Sequence, residues 1–540
     1  MKNKIILSHN LNKLLLFFCW VFIIAAILTG FLLRIWYIFR LPSNADNAIV
    51  GLMANDFLSG HIKAFYWGQN YGGSGEPFVV AIFFSIFGSS SIVLKIVPAV
   101  LGLISTILVW RIALILVKDK LLAIMAACLM WASPQFWLMQ STLEGGFRGF
   151  TMLFGLVAIL FALKITKKNK IIYYLILGLS TGLAWWSSPE SLFLLLPAYL
   201  ILLSSTVRDI KKFSTQNLLK NYAALAVSIL IGCLPWLWSN LRNGFKSLDV
   251  STFAVPAGAP KFGGRLHEFF IYSLPMLFSL KSNNNGAWIF SHTFSHILFL
   301  VIIISLIILF YACIQAKDIS ITIITALATF PLILACSPAT WFWEDGRYIV
   351  YVLPLFAIFI ACGIDRLSYI FKKKYTAKKL DKDINIKISR LFFISLGTLL
   401  ISISSFNFLK NIQNNNQYIN RWGNPDISTH ISSDDLIKQG VKYGYAPYWV
   451  AYKLDFISNG QLIITSSDFI RSKDINNRVN NAPVKAWLFP NNTKESLNQF
   501  ELDPITIEKS RLKLINEFEN SNTKFKIIYT PIITAIVPIR

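Results

Sequence analysis

Two acids, Asp46 and Glu76, bracket a run of aromatic, amide and glycine residues that reads AFYWGQNYGGSG over 64–75. In a chain as apolar as this one, an acid is costly wherever it is neither solvated nor working. Asp46 could accept a hydroxyl proton as a general base during group transfer. Its plainer reading is a helix N-cap, worth about 1 kcal/mol. A helix N-terminus keeps a carboxylate ionised but makes it a weaker base, so the two roles pull apart. Trp67 and Tyr71 could stack on a sugar ring, with Gln69 and Asn70 bonding its hydroxyls and the glycines letting backbone come close. An interfacial aromatic belt with a glycine-rich turn competes with that reading. Glu76, directly before Pro77, sits at a capping-type position.

The element that must position Asp46 is the segment 46–60. Its apolar residues at 49, 50, 52, 53, 57 and 58 predict an amphipathic helix lying on a membrane surface, with Asp46 at its N-terminus. After the loop, Phe78–Phe87 is apolar but too short to span, which suits a re-entrant or interfacial helix.

The 540 residues are 55% hydrophobic and 14% charged, with a mean hydropathy of +0.55. A soluble chain carries roughly 25% charged residues. Candidate spans fall at about 14–38, 92–117, 121–140, 149–163, 171–187, 190–206, 221–240, 289–315, 319–338, 348–370 and 389–408, about eleven in all. The chain therefore reads as an α-helical polytopic membrane protein. Lys2, Lys4 and Lys13 precede an apolar run, Leu14–Phe39, that is too long for a signal-peptide core and reads as an uncleaved anchor.

The net charge of +24 does not mark a nucleic-acid partner. Residues 410–540 carry 16 Lys and Arg against 12 Asp and Glu, and most of the excess lies in short loops such as KITKKNK (164–170) and KKKYTAKKLDKD (372–383). With a cytoplasmic N-terminus, residues 1–409 place 24 Lys and Arg inside and 11 outside, as the positive-inside rule requires. Nine of the fifteen acids then lie outside: Asp46, Asp56, Glu76, Glu144, Glu190, Asp249, Glu268, Glu344 and Asp345. Acids gathered on one face suit an active site there, although any single one could simply be solvated. The six cysteines lie in or beside apolar runs without metal-ligand spacing, and the six histidines form no metal constellation. His292 and His296 are four residues apart but lack a third ligand.

The division read from this pattern is a transmembrane domain over 1–409, with long outer loops at 39–91 and 241–288, and an extracytoplasmic α/β domain over 410–540. In the tail, 434–444 and 495–503 read as helices, whereas WVAYKLDFI (449–457), QLIITS (461–466), VKAWLF (484–489) and FKIIYTPIITAIV (525–537) read as strands. Asn491-Asn492-Thr493 matches a glycosylation acceptor pattern, a weak signal in an Asn-rich tail.

An acid soon after the first span, then GQ-x-Y-x-G-x-x-E-P running into an apolar stretch ending in FG, resembles the first outer loop of the C-type glycosyltransferase superfamily. Within it, the chain is similar to the family that includes protein O-mannosyltransferases and lipid A aminoarabinose transferase. The likeness continues through LKIVPAVLGLISTILVWRIALILV (94–117) and returns at WEDGRYIVYVLPLFAIFIACGIDRL (343–367), where an Arg-Tyr pair opens a late span. GYAPYWVAYKLDFISNGQLIITSS (444–467) looks like a segment that follows the last span in some bacterial transferases of this kind, as an acceptor-binding element or a packing lid.

The resemblance implies transfer of a sugar from a polyprenyl-phosphate carrier to a glycan, lipid or protein hydroxyl, on the outer face of the cytoplasmic membrane and without nucleic acid. Asp46 matches the family's catalytic acid. Asn47 stands where a second acid is common, which fits transfer without a metal or other cofactor. Displacing a phosphate needs a base on the acceptor and cations on the departing oxygens. Arg347 is the leading phosphate ligand and Arg148 in EGGFRGF the second, since a guanidinium binds phosphate as a fork. Arg347 could equally pair with Glu344 or Asp345, and Arg242, Lys261 and Arg265 are weaker candidates. Trp67, Gln69, Tyr71, Glu76, Glu144 and Tyr348 are the expected sugar or acceptor contacts. A lipid-linked oligosaccharide polymerase or ligase is the enzymatic rival. A transporter or flippase would instead place acids in mid-span and show internal symmetry.

Overall fold

In the computed structural model the described residues are 2–209, 214–249, 255, 258–282, 285–337, 340, 346–375, 382–414, 423–500 and 503–539. They form two compact units. The first comprises Met1–Arg34, Val100–Ser141 and Phe150–Gln413; the second comprises Ile35–Ala99, Thr142–Gly149 and Asn414–Arg540.

The apolar runs fold as helices because hydrocarbon offers no partner for an unpaired peptide group. Among the described residues, seven are long and apolar enough to cross a membrane: Lys13–Arg40, Ser91–Leu116, Arg148–Lys167, Pro189–Arg208, His292–Ala316, Val352–Ile370 and Ile388–Gln413. The pair Thr215–Gly232 and Leu234–Asn243, bent by 62°, makes an eighth if it is one span. Three further expected crossings are shorter helices, Lys120–Ala132, Ile171–Ser187 and Ser320–Cys336. A helix of 17 residues covers only about 26 Å of a hydrocarbon core about 30 Å thick. The 121–140 run is split because the chain turns extended at Ser133 before Pro134. Gly75–Phe87 is a helix of 13 residues, as its apolar length predicted.

Within the first unit, Ile171–Ser187 and Thr215–Gly232 approach backbone to backbone. A Cβ on Gly182 would lie 2.2 Å from the Ile229 carbonyl, so only glycine permits this contact. Arg34, 2% exposed, gives Nε to Ser141 Oγ at 2.9 Å and Nη1 to the carbonyls of Gly30 and Trp131 at 3.0 and 2.7 Å. Its guanidinium lies 3.8 Å from the Trp131 ring centroid. Asp119 pairs with Arg390 at 2.7 Å and Asp318 with Arg366 at 2.8 Å.

The second unit is built on a five-stranded sheet of order β2-β1-β3-β5-β4, with β1 Tyr443–Ala446, β2 Ile463–Ser466, β3 Ala486–Pro490, β4 Phe525–Tyr529 and β5 Ile533–Pro538. Strands β1, β2 and β3 run parallel, and β5 returns antiparallel to both β3 and β4. Helices α1 (Ala45–Leu58), α2 (Gly75–Phe87), α3 (Ile427–Lys438) and α4 (Tyr448–Ile457) complete what positions the site.

Two expectations change here. The run 449–457 is helix α4 rather than a strand, because Tyr448 and every residue from Val450 to Ile457 is buried. Burial on every side erases the period that separates helix from strand in sequence. For the same reason α1 is no amphipathic surface helix: Ala45 and the whole stretch Asn47–Ala54 are buried. Helix α4 packs on α1, with Phe456 against Gly51, where a Cβ would meet the ring at 2.3 Å. Phe456 also stacks on Phe84 of α2, centroids 6.1 Å apart.

Beneath these helices lies a buried charge cluster. Asp426 and Lys453, both side chains fully buried, pair at 3.0 Å. Asp426 also accepts the Ser43 amide at 3.1 Å, and Lys453 donates to Gln499 Oε1. Lys95 donates to the Leu41 carbonyl. Burial alone would raise the Asp426 carboxyl, but Lys453 and then Lys95 hold it down at about 2. Asn491 of the Asn491-Asn492-Thr493 triplet is tied into the fold by both ends of its side-chain amide. Its amide donates to the Thr530 carbonyl at 2.8 Å and accepts from Thr534 at 2.6 Å.

Candidate active site

The stretch 64–74 folds back on itself. Tyr66 N donates to Gly72 O at 2.7 Å, Ser74 N to Ala64 O at 3.2 Å, and Phe65 bridges antiparallel to Gly73. Gly68 turns the chain with φ +67, and a Cβ there would lie 2.9 Å from the Arg471 side chain. This is why the WGQN run carries glycine at that point. Trp67 is buried, while Gln69 and Tyr71 are half-buried. Gln69 Oε1 is shielded from solvent and takes no hydrogen bond among the described residues.

Asn44, not Asp46, caps α1. Asn44 Oδ1 accepts from the Asn47 amide at 3.0 Å and Asn47 Oδ1 from the Asn44 amide at 3.0 Å, a reciprocal capping box. The capping role that competed for Asp46 is therefore filled by its neighbours, and Asp46 stands in the first turn with its carboxylate released. That side chain is 43% exposed.

Three groups hold Asp46. The Tyr448 hydroxyl donates to Oδ1, Arg471 Nη2 lies 4.0 Å from the same oxygen, and Tyr66 Oη donates to the Asp46 carbonyl at 2.9 Å. Arg471 Nε in turn donates to the Tyr448 hydroxyl at 3.3 Å. The Arg471 guanidinium lies 4.5 Å from the ring centroid of Phe469, 5.6 Å from Tyr448 and 5.7 Å from Tyr66. Burial, and then the Asp46 charge, push both the Tyr448 and Tyr66 hydroxyls up, so both stay protonated and donate. Asp46 Oδ2 takes no hydrogen bond among the described residues.

Glu76 and Glu144 present no free carboxylate. They are 1% and 0% exposed, and their carboxyl groups hydrogen-bond to each other. Gly146 N donates to Glu144 Oε1 at 3.0 Å, and Asn47 Nδ2 donates to the Glu144 carbonyl at 2.7 Å. Burial first, then the neighbouring Glu76, hold the Glu144 carboxyl well above the usual carboxylate range, so the pair keeps a proton between its two acids. A raised carboxyl contributes its full stability below its unfolded value near 4 and loses it as pH climbs toward the folded value. Glu144→Gln copies the protonated acid and cannot ionise. Thermal unfolding should show the variant matching the parent near pH 4 and outlasting it at pH 9 by at least about 2 °C. Equal losses for both at pH 9 would mean that Glu144 ionises at no cost.

Arg148, itself in the second unit, is the first residue of the span Arg148–Lys167, with its guanidinium 4.9 Å from the Phe147 ring centroid. Arg347 and Tyr348 belong to the first unit, in the turn after Gly346, with the guanidinium 5.6 Å from the Tyr348 ring centroid. Tyr348 lines a cleft there with Arg265, Glu268, Ser273 and Thr340. Arg265 is engaged by backbone, donating to the carbonyls of Ala335 at 2.8 Å and Pro260 at 2.6 Å. Glu344 and Asp345 lie outside the described residues. The rings of His292 and His296 lie 4.1 Å apart, tilted by 43°, and the described residues include no group of three His, Cys, Asp or Glu side chains fit for a metal.

Sequence reasoning missed Tyr448 and Arg471. Tyr448 lies inside the tail segment singled out for its likeness to other transferases, whereas nothing local marks Arg471.

A family profile described as dolichyl-phosphate-mannose-protein mannosyltransferase matches residues 75–238. That range takes in Glu76, Glu144 and Arg148 and omits Asp46 and Arg347. No curated protein matches the sequence. Among solved structures, ArnT from Cupriavidus metallidurans bound to undecaprenyl phosphate is similar at a TM-score of 0.56 and 12% identity, over 96% of this chain and 97% of that one. The same protein in the apo state gives a TM-score of 0.55 at 12% identity, over 95% and 97%. The fold is shared with ArnT. The resemblance read from the first outer loop thus holds at the level of the whole chain's architecture, a multi-pass membrane protein carrying a small α/β unit.

Proposed function

We propose that this protein is a membrane glycosyltransferase that moves a sugar from a polyprenyl-phosphate carrier to an acceptor hydroxyl on the non-cytoplasmic face. The observation that carries this reading is Asp46: a half-exposed carboxylate, relieved of capping, with one oxygen held and the other open. The match to a mannosyltransferase profile and the fold shared with a protein solved with undecaprenyl phosphate support it.

In this reading the Asp46 carboxylate takes the acceptor proton while the acceptor oxygen bonds to the anomeric carbon. The bond from that carbon to the phosphate oxygen breaks, and the phosphate leaves with the electron pair, inverting the anomeric centre. Arg148, in the same unit as Asp46, and Arg347, on its Arg-Tyr context, are the proposed phosphate ligands. Gln69 and Tyr71 are proposed to border the sugar. Trp67, with Glu76 and Glu144, is proposed to shape that border from below, since all three are buried. Transfer is proposed to need no metal.

The test is purified protein given undecaprenyl phosphate carrying radiolabelled mannose, glucose, galactose or arabinose, with bacterial envelope extract as acceptor. Label should leave the carrier for one of these sugars, at a rate unchanged by EDTA. Movement of intact donor across liposomes without cleavage would instead mean a transporter, and products of many sugars a polymerase.

A further inference from the structure

We propose that Tyr448 and Arg471 are positioning residues that the tail supplies to Asp46, fixing Oδ1 so that Oδ2 faces the acceptor hydroxyl. This rests on the reading of Asp46 as the base. The direction of the hydrogen-bond chain follows from the inventory of protons. Arg471 has only donors, so its Nε–H at 3.3 Å must point at the Tyr448 oxygen. Tyr448 has one proton, and Asp46 Oδ1 receives it. The chain Arg471 to Tyr448 to Asp46 therefore runs one way and ends on the carboxylate.

Each link is anchored independently of Asp46. Tyr448 opens α4 with its amide donating to Asp468 Oδ1 at 2.9 Å, and its ring packs edge-on against Trp449, Tyr452 and Phe469. The Arg471 main-chain amide donates to the Tyr452 hydroxyl at 2.6 Å, and Gly68 of the first loop abuts its side chain. The Arg471–Asp46 separation of 4.0 Å, with the carboxylate half-exposed, makes this a weak ion pair for stability. What the arrangement supplies is orientation. A carboxylate with both oxygens free rotates about its terminal bond; with Oδ1 pinned, Oδ2 has one place to be. A base misplaced by about 1 Å can cost 10²-fold in rate.

The test is the full-length protein in detergent, assayed with whichever undecaprenyl-phosphate sugar it cleaves. Tyr448→Phe deletes one hydroxyl and keeps every ring contact. It should lower kcat by about 10- to 100-fold while leaving the KM for donor and the thermal midpoint unchanged. Arg471→Met keeps the apolar stem without any N–H donor and should lower kcat by a smaller factor. A second readout needs no donor. The infrared carboxylate band present in the parent and absent from Asp46→Asn should shift in Tyr448→Phe, where Oδ1 has lost its donor. The proposal is overturned if Tyr448→Phe keeps kcat within about threefold, if its loss lies wholly in donor KM, or if that band does not move. If Asp46→Asn is fully active, the reading of Asp46 as base has failed. If Asp46→Asn is inactive and Tyr448→Phe is not impaired, this inference alone has failed.

Discussion

Asp46→Asn should abolish sugar transfer, lowering the rate by about 10²- to 10⁴-fold, the range a positioned general base supplies. The substitution changes almost nothing else. Asparagine keeps an oxygen that can accept the Tyr448 hydroxyl, and the capping of α1 rests on Asn44 and Asn47. Thermal midpoint, expression and binding of undecaprenyl phosphate should therefore match the parent, so that the loss lies in kcat. Asp46→Glu keeps a base but moves it by a methylene from the Tyr448 hydroxyl, and should fall between the two. A measured rate for Asp46→Asn above about a tenth of the parent would assign the proton to another group.

The largest effect on stability belongs to the charge pair under the site. Lys453→Met leaves Asp426 buried with only Lys95 as a nearby cation, and breaking a buried pair by removing one partner costs about 3–5 kcal/mol. Replacing both members, as Asp426→Leu with Lys453→Met, removes the buried carboxylate and should recover part of that loss, although Lys95 then loses its counter-charge and the Ser43 amide its acceptor. The pH dependence has a definite sign. Asp426 is held at about 2, below its ordinary value near 4, so the pair's contribution is complete above pH 4 and is lost as pH falls through 2. Limited proteolysis of the tail at pH 7 should cut Lys453→Met far faster than the parent or the double variant. Equal cutting of all three would mean the pair stabilises nothing.

The membrane-spanning architecture was legible because hydrocarbon imposes a strict rule on composition, and each apolar run became a helix. The number of full crossings was not, since runs such as 171–187 are apolar throughout yet end within 17 residues. Asp46 was visible from its place after the first span, but its competing role as a cap was not resolved until Asn44 and Asn47 were seen to close the helix between them. Glu76 and Glu144 each read as exposed acids at span ends. Only folding brings them face to face, where the cost of burial is met by a shared proton. Tyr448 stands 402 residues from the oxygen it bonds, and no local period can signal a contact of that separation. Strand-like alternation in 449–457 misled for the opposite reason: the helix is buried so completely that its period vanished.

The second unit is assembled from three pieces of chain, 35–99, 142–149 and 414–540. During synthesis the first piece emerges long before the last. Helix α1 must wait, its buried face unfilled, until α4 has been translated. The nascent protein thus carries Asp46 without Tyr448 and Arg471, the side chains that hold its carboxylate, until most of the chain has been made. An arrest of translation before residue 448 would leave an inserted but unassembled intermediate, open to quality-control proteases and without the Tyr448 anchor.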